Sequence, residues 1–149
     1  MHKEYYKYDK IWCSYRAKQN IFALDTTSEC IGLTNTVTIF DTNPFLNIKY
    51  ILALINSKLL EYQHKNNAKQ TGNGVFEYVP NTIERYPIPQ ISLAEQMDFI
   101  TLIDKILDSK KHNPNADITY YEIAIDALVY KLYGLNNEEI KIVENSVIR

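Results

Sequence analysis

The stretch from position 48 to position 78 constrains the fold of this 149-residue chain more than any other part of it. It opens with IKYILALINSKLLEY, in which apolar residues recur at helical spacing on more than one side, so we predict a buried helix packed across a sheet. It ends with VFEYV, which predicts a strand. Between them lies a polar segment, KNNAKQTGNG, which Gly72 and Gly74 mark as a loop. A helix that leads into such a loop suits the recognition of a polar surface better than covalent catalysis.

Two polar residues, Asn56 and Ser57, interrupt the middle of the predicted helix. Both residue types compete for backbone hydrogen bonds, so they are unusual in a helix interior. We favour a pair that caps a helix or contacts the sheet over a pair with a direct functional role. At the start of the helix, either Asn47 or Asn43, which is followed by Pro44, is an acceptable N-cap.

Three segments before this helix have the pattern of strands. In the first two, Lys10 to Ala17 and Asn20 to Asp25, successive side chains alternate between two faces, as they do in a β-strand. Lys18–Gln19–Asn20 between them predicts the turn of a β-hairpin. The third segment, Thr36 to Asp41, is rich in β-branched residues. We therefore expect a largely antiparallel sheet against the helix.

From Ser92 onwards the sequence predicts helices. Ser92 and Glu95 form a capping box at the start of the first. A second helix is predicted from Thr119 to Tyr133, stopped by Gly134, and a third from Asn137 to Val147. The apolar series that we expect the first helix to bury is Met97, Ile100, Ile103 and Leu107. The predicted fold class is α+β: a mixed, mostly antiparallel β-sheet packed on a long helix, followed by a C-terminal helical hairpin and a closing helix.

The charge distribution and the cysteine content limit which functions this chain can have. The net charge is −2, but ten Lys and Arg stand against eight Asp and Glu up to Gln90, and six against ten after it. This asymmetry favours a first part that faces a polyanion and an acidic second part. Cys13 and Cys30 are too few for a disulfide framework or a zinc site, and we interpret both as buried thiols. No segment has the pattern of a signal peptide or a membrane span, so we expect a cytoplasmic protein.

No combination of residues composes a complete active site. His2, His64 and His112 do not occur at metal-ligand spacing, and we predict that all three are surface residues. Glu139–Ile140–Lys141 has the acid-x-lysine spacing of metal-dependent nucleases, but it lies on a predicted helix, so we attribute it to chance. Asn43–Pro44–Phe45 matches only part of an amino-methyltransferase motif, and no glycine-rich cofactor motif accompanies it.

Polar and basic residues cluster instead in the hairpin turn and in the loop. Such side chains read base edges, Arg or Lys on guanine and Asn or Gln on adenine, and each good bidentate pair contributes about 1–3 kcal/mol of discrimination. Lysines that neutralise phosphates add affinity that depends on salt. The candidate DNA-binding residues are Arg16, Lys18, Gln19, Asn20, Lys65, Lys69, Gln70, Thr71 and Asn73. Composition alone favours a merely solvated polar loop, and that alternative stays open at this point.

Five strings that follow one another along the chain resemble a known family. They are WCSYRAKQNIFALD, YILALINSKLLEY, KQTGNGVFEYVPNTIERYPIP, SLAEQMDFITLIDKIL and IDALVYKLYGLNNEEIKIVE. Together, from Trp12 to Glu144, they resemble the TaqI-like C-terminal specificity region of type IIG restriction–modification enzymes. In that family one long polypeptide joins a nuclease, an adenine methyltransferase and this target-recognition region.

The resemblance implies a DNA target-recognition domain over residues 1–90, with residues 91–149 as a helical extension packed on or beside it. The implied partners are double-stranded DNA and the missing methyltransferase and nuclease domains of a bacterial type II restriction enzyme. The chain itself is expected to be a non-catalytic fragment without a cofactor, whereas the parent enzyme is expected to use S-adenosylmethionine and Mg²⁺. The resemblance also implies that the Gln70–Asn73 segment lies near DNA.

Two alternatives stay open beside this one. A protein-interaction scaffold would use the predicted helical seam from Tyr121 to Leu132 to dock another subunit, and its loop would be merely solvated. A free-standing hydrolase would need a pocket with convergent titratable groups.

Overall fold

Strands and helices of an α+β fold make up the described part of the chain. The computed structural model describes residues 7–27, 32–40 and 43–148. The strands are β1 (Lys10–Ser14), β2 (Arg16–Ala17), β3 (Phe22–Asp25), β4 (Thr36–Ile39) and β5 (Phe76–Glu77). The helices are α1 (Ile48–Ile55), α2 (Lys58–Asn67), α3 (Pro80–Ile83), α4 (Leu93–His112), α5 (Thr119–Leu132) and α6 (Asn137–Ser146). The predicted α+β class is confirmed, since the helices accompany sheets in which every pairing is antiparallel.

The central strand β1 lies in a three-stranded sheet with the order β3–β1–β4. Its side chains alternate as predicted, with Ile11 and Cys13 buried in the core and Ser14 exposed. Burial raises the pKa of the Cys13 thiol to about 12, so this cysteine is an unreactive core residue. Cys30, and Asp41 at the end of the third predicted strand, lie outside the described residues.

The first predicted strand is in fact two strands, because the chain changes partner at Tyr15. β1 and β3 pair antiparallel as predicted, but their last pair is Cys13 with Phe22, so residues 14–21 separate them and the predicted tight turn at Lys18–Gln19–Asn20 is wrong. Tyr15 donates its backbone N–H to Asn35 O (2.9 Å) and accepts a hydrogen bond from Tyr78 N (2.8 Å). The next two residues, Arg16–Ala17, therefore leave the first sheet and pair with β5 in a second, two-stranded sheet.

The single long helix predicted from position 48 is also wrong, since the chain breaks at Asn56 and Ser57 into α1 and α2. The Asn56 side chain bonds both backbone groups of Phe22, accepting from N (2.9 Å) and donating to O (2.9 Å). Ser57 is the N-cap of α2, and its hydroxyl accepts from Leu60 N. The favoured interpretation, a pair that caps a helix and contacts the sheet, is confirmed.

The start of α1 is tied to α4 by a buried glutamine. Asn47, rather than Asn43, is the N-cap of α1 and accepts a hydrogen bond from Lys49 N. The fully buried Gln96 accepts from Asn47 N (2.8 Å) and donates to Phe45 O (2.8 Å). Because buried amides must be satisfied, this side chain fixes how α4 meets the loop before α1.

The C-terminal helices pack on α1 and α2. The predicted Ser92–Glu95 capping box is present, and Ile100 and Ile103 are buried as expected. Met97 is 47% exposed, so its predicted burial is wrong. Gly134 has φ +69° at the stop of α5, which is the left-handed conformation expected of a helix stop. Buried residues of α1, α4 and α5 belong to one core, and a domain boundary at residue 90 stays a prediction.

Candidate nucleic-acid interface

The two predicted polar clusters meet on the second sheet. We call residues 16–20 the turn segment and residues 68–75 the glycine loop. In β2 and β5, Arg16 pairs with Glu77 and Ala17 pairs with Phe76. On the other side of β5, Gln70 forms a bridge to Phe76, and Glu77 N donates to the backbone oxygen of Lys69 (3.0 Å). The turn segment and the start of the glycine loop therefore flank the same short strand.

The Glu77 carboxylate holds one cation from each cluster. Arg16 Nη2 lies 3.1 Å from Glu77 Oε1, and Lys69 Nζ lies 3.9 Å from Glu77 Oε2. The carboxylate is 12% exposed, whereas Arg16 is 59% and Lys69 75% exposed. Exposed ion pairs contribute only about 0–1 kcal/mol to stability, so the main effect of Glu77 is to orient the Arg16 and Lys69 side chains. It presents two cations side by side to solvent.

The tip of the glycine loop consists of three consecutive residues with positive φ. The angles are +99° at Gly72, +50° at Asn73 and +72° at Gly74. Thr71 N donates to Val75 O (2.8 Å), which closes the ribbon below the tip. A Cβ placed on either glycine would meet no atom within 4 Å, so the backbone conformation and not crowding requires glycine here. Asparagine is among the few other residue types that adopt this conformation readily.

The strand register divides the candidate residues between two faces of the second sheet. Residues paired across strands share a face, so Arg16 and Lys69 lie on the Glu77 face. Gln70 shares the other face with Phe76, although its own side chain is exposed. Beyond the sheet, Lys18, Thr71 and Asn73 are exposed, and Gln19 is half-buried at the edge of an apolar cavity that β3, α1, α4 and α5 line together.

Two of the predicted site residues bond to other parts of the fold and are not free to contact DNA. Asn20 is 4% exposed, donates to Ile55 O (2.7 Å) and accepts from the Tyr78 hydroxyl (2.8 Å), which fixes the turn segment on the end of α1. Lys65 lies in α2 rather than in the loop, because the helix continues to Asn67. Its Nζ lies 2.6 Å from a carboxylate oxygen of the buried Glu61.

The prediction that His64 is a surface residue is wrong. Its ring is 1% exposed, stacks on Tyr78 at 3.9 Å between centroids, and has Nδ1 2.8 Å from the Tyr86 hydroxyl. Burial lowers the pKa of His64 to about 4, although the Glu77 backbone and the Glu61 carboxylate oppose this effect. Burial also raises the pKa of Tyr86, so both groups are neutral near pH 7. His112 is exposed as predicted, and His2 lies outside the described residues.

Sequence reasoning missed Glu77 and the burial of His64. A charged residue inside the apolar string VFEYV was the available signal for Glu77. His64 follows the buried Leu60 by four residues, which places both on one side of a helix.

The groups that sequence analysis weighed for catalysis have structural roles or do not come together. Glu139 completes the capping box of α6, accepting from Asn136 N (2.8 Å). In the described part of the chain, no three His, Cys, Asp or Glu side chains lie close enough to bind one metal ion. Within the same residues, every helix is too short or too polar to cross a bilayer.

Comparison with known protein families finds a match over the part of the chain that contains the candidate interface. The model of the TaqI-like C-terminal specificity domain matches residues 1–88, which include the turn segment, the glycine loop and both sheets. No curated protein matches the chain. The family match covers more than half of the sequence, and the chain therefore belongs to the TaqI-like C-terminal specificity domain family.

Proposed function

We propose that this chain is the target-recognition module of a type II restriction–modification enzyme, and that it binds double-stranded DNA through the turn segment and the glycine loop. The observation that carries this proposal is the β2–β5 ladder, which brings one cation of each cluster, Arg16 and Lys69, to the same face of the second sheet. Membership of a specificity-domain family supports the same role.

Arg16, Lys18 and Lys69 are the proposed phosphate contacts. All three side chains are exposed, and Glu77 orients two of them. Each phosphate that a cation neutralises steepens the logarithmic dependence of affinity on salt by about 0.9. Such contacts fix the register of a protein on the duplex without reading its sequence.

Gln70, Thr71 and Asn73 are the proposed base contacts. Amide side chains pair with adenine in the major groove, and a hydroxyl contacts any base. That groove is about 12 Å wide and admits a two-stranded ribbon. The glycine loop is such a ribbon, because Gln70 bridges Phe76 and Thr71 bonds Val75 below the tip. Gln19, at the edge of the apolar cavity, would contact DNA from the turn segment.

The chemistry of the enzyme belongs, in this proposal, to other domains. The methyltransferase domain would bind S-adenosylmethionine and the nuclease domain would bind Mg²⁺, in the cytoplasm of a bacterium. This chain would position DNA of the recognised sequence for these domains and would supply no catalytic group.

A protein-interaction scaffold is the second candidate, and one observation favours it. Tyr120 and Ile123 on the outer side of α5 are 79% and 60% exposed. The predicted seam itself is less available, since Ile125, Leu128 and Leu132 belong to or pack against the core. Unchanged DNA specificity in loop variants, together with loss of assembly in Tyr120→Ser, would support the scaffold instead.

Selection from randomised duplex DNA, with the enzyme that contains this module, tests the proposal. Asn73→Gly removes the side chain but keeps the positive φ, so it reports a lost contact rather than a distorted tip. We expect it to relax the preference at one base position by about 1–3 kcal/mol. Lys69→Ala should weaken binding to all sequences alike. Asn115→Gly, at an exposed asparagine between α4 and α5, is the matched control and should change nothing.

Unaltered base preference in Asn73→Gly, Gln70→Ala and Thr71→Ala would refute the assignment of the glycine loop to base recognition.

A further inference from the structure

A polar cavity opens beside the start of the glycine loop, between α2 and the segment that follows β5. Its volume is about 250 Å³. The lining residues are Gln63, His64, Asn67, Thr82, Arg85 and Tyr86. Asn67 is the last residue of α2, so the cavity adjoins the glycine loop directly.

The floor of the cavity is uncharged. It contains His64 and Tyr86, which are joined by the hydrogen bond at Nδ1 and are both neutral near pH 7. Glu61, in the same helix, is paired with Lys65. The floor therefore places no negative charge against a bound anion.

The wall of the cavity presents one cation and neutral donors. Among the described residues, no carboxylate forms an ion pair with the exposed Arg85. The half-buried side chains of Gln63 and Thr82 form no hydrogen bond with any other described residue. Glu84, which precedes Arg85, is exposed and is the nearest acidic residue in sequence.

We propose that this cavity binds one phosphodiester group of the DNA backbone, with Arg85 as its ionic partner and Gln63 and Thr82 as neutral donors. The inference rests on the proposed DNA-binding function. A planar guanidinium matches two phosphate oxygens at once. A phosphate held here would anchor the DNA at the base of the glycine loop and so set the register in which the tip reads bases.

The salt dependence of binding tests this site. The 149-residue chain is titrated onto a fluorescently labelled pool of random-sequence duplexes at several salt concentrations. Arg85→Ala should reduce the magnitude of the negative slope of log affinity against log salt by about 0.9, whereas Arg85→Lys should keep the slope. Gln63→Ala should lower affinity without changing the slope. Lys105→Ala removes one exposed positive charge from α4, which does not line the cavity, and should leave the slope unchanged.

The outcomes separate this inference from the proposed function. If Lys69→Ala makes the slope shallower and Arg85→Ala does not, the phosphate site is wrong while the DNA-binding surface stands. If neither variant changes it, both fail. Equal effects of Arg85→Ala and Lys105→Ala would show a response to net charge and overturn the site. A further outcome is that inorganic phosphate shifts the NMR resonances of Arg85 while Arg85→Ala leaves the salt dependence of DNA binding unchanged. In that case the cavity binds free phosphate rather than DNA, and the inference is also wrong.

Discussion

Lowering the pH from about 8 to about 5 should remove a defined part of the stability of this fold, because His64 is buried in its neutral form. Burial lowers its pKa from the ordinary 6.5 to about 4. The unfolded chain therefore takes up a proton on this ring below about pH 6.5, whereas the folded protein does not until about pH 4. Stability is thus full above pH 6.5 and declines as the pH falls.

The size of this effect follows from the two pKa values. At about pH 5 the linkage relation gives a loss of about 2 kcal/mol, which for a chain of this length lowers Tm by about 4–8 °C. The Asp25 ion pair does not contribute to the change in this pH range. The Lys10 ammonium, with Thr27, holds the pKa of Asp25 well below its ordinary 3.8, so its contribution is intact above that pH and is lost only at lower pH.

The assay is thermal unfolding followed by circular dichroism across this pH range. His64→Phe keeps an aromatic ring against Tyr78 and should lose most of the pH dependence, whatever its stability at about pH 8. His112→Ala, at a histidine 74% exposed, should retain it. If His64→Phe loses as much stability on acidification as the wild type, the burial argument is refuted.

Three further substitutions test local parts of the account by urea or thermal unfolding. Asn56→Ala should cost about 1–3 kcal/mol, because both of its bonds to the Phe22 backbone disappear; an unchanged stability would contradict its role at the helix break. Lys65→Met should destabilise the fold by about 1.5–3 kcal/mol through loss of its charged hydrogen bond to Glu61. An unchanged stability would contradict this structural role and would make Lys65 a candidate DNA contact again. Gly74→Ala should disfavour the tip conformation by about 1–2 kcal/mol at φ +72°; amide exchange in the glycine loop should rise, and equal exchange would show that glycine is not required.

Local signals in the sequence predicted most of the elements. Ser92 and Glu95 placed the start of α4, and Gly134 placed the end of α5, because caps and left-handed stops act within one turn of helix. The alternation of Ile11 and Cys13 gave the buried face of β1 for the same local reason.

The errors came from contacts between distant parts of the chain. Asn56 breaks the helix because it bonds to Phe22, 34 positions earlier, and no periodicity reveals that partner. Tyr15 divides the first strand because its backbone bonds Asn35 and Tyr78.

The arrangement of the candidate residues could be predicted only in part for the same reason. Two clusters were visible in the sequence, but their meeting depends on the register of Arg16 with Glu77, which is set by tertiary pairing. Asn20 was assigned to the surface because it lies in a polar turn, whereas its amide satisfies a buried carbonyl at the end of α1.

The most direct test of a single DNA-binding surface is the salt dependence of binding for Arg16→Ala, Lys69→Ala and the double variant. Both cations lie on the Glu77 carboxylate, so one duplex should contact them together. We predict that each single variant reduces the magnitude of the negative slope of log affinity against log salt by about 0.9, and that the double variant reduces it by about 1.8. A double variant with the wild-type slope would contradict the account.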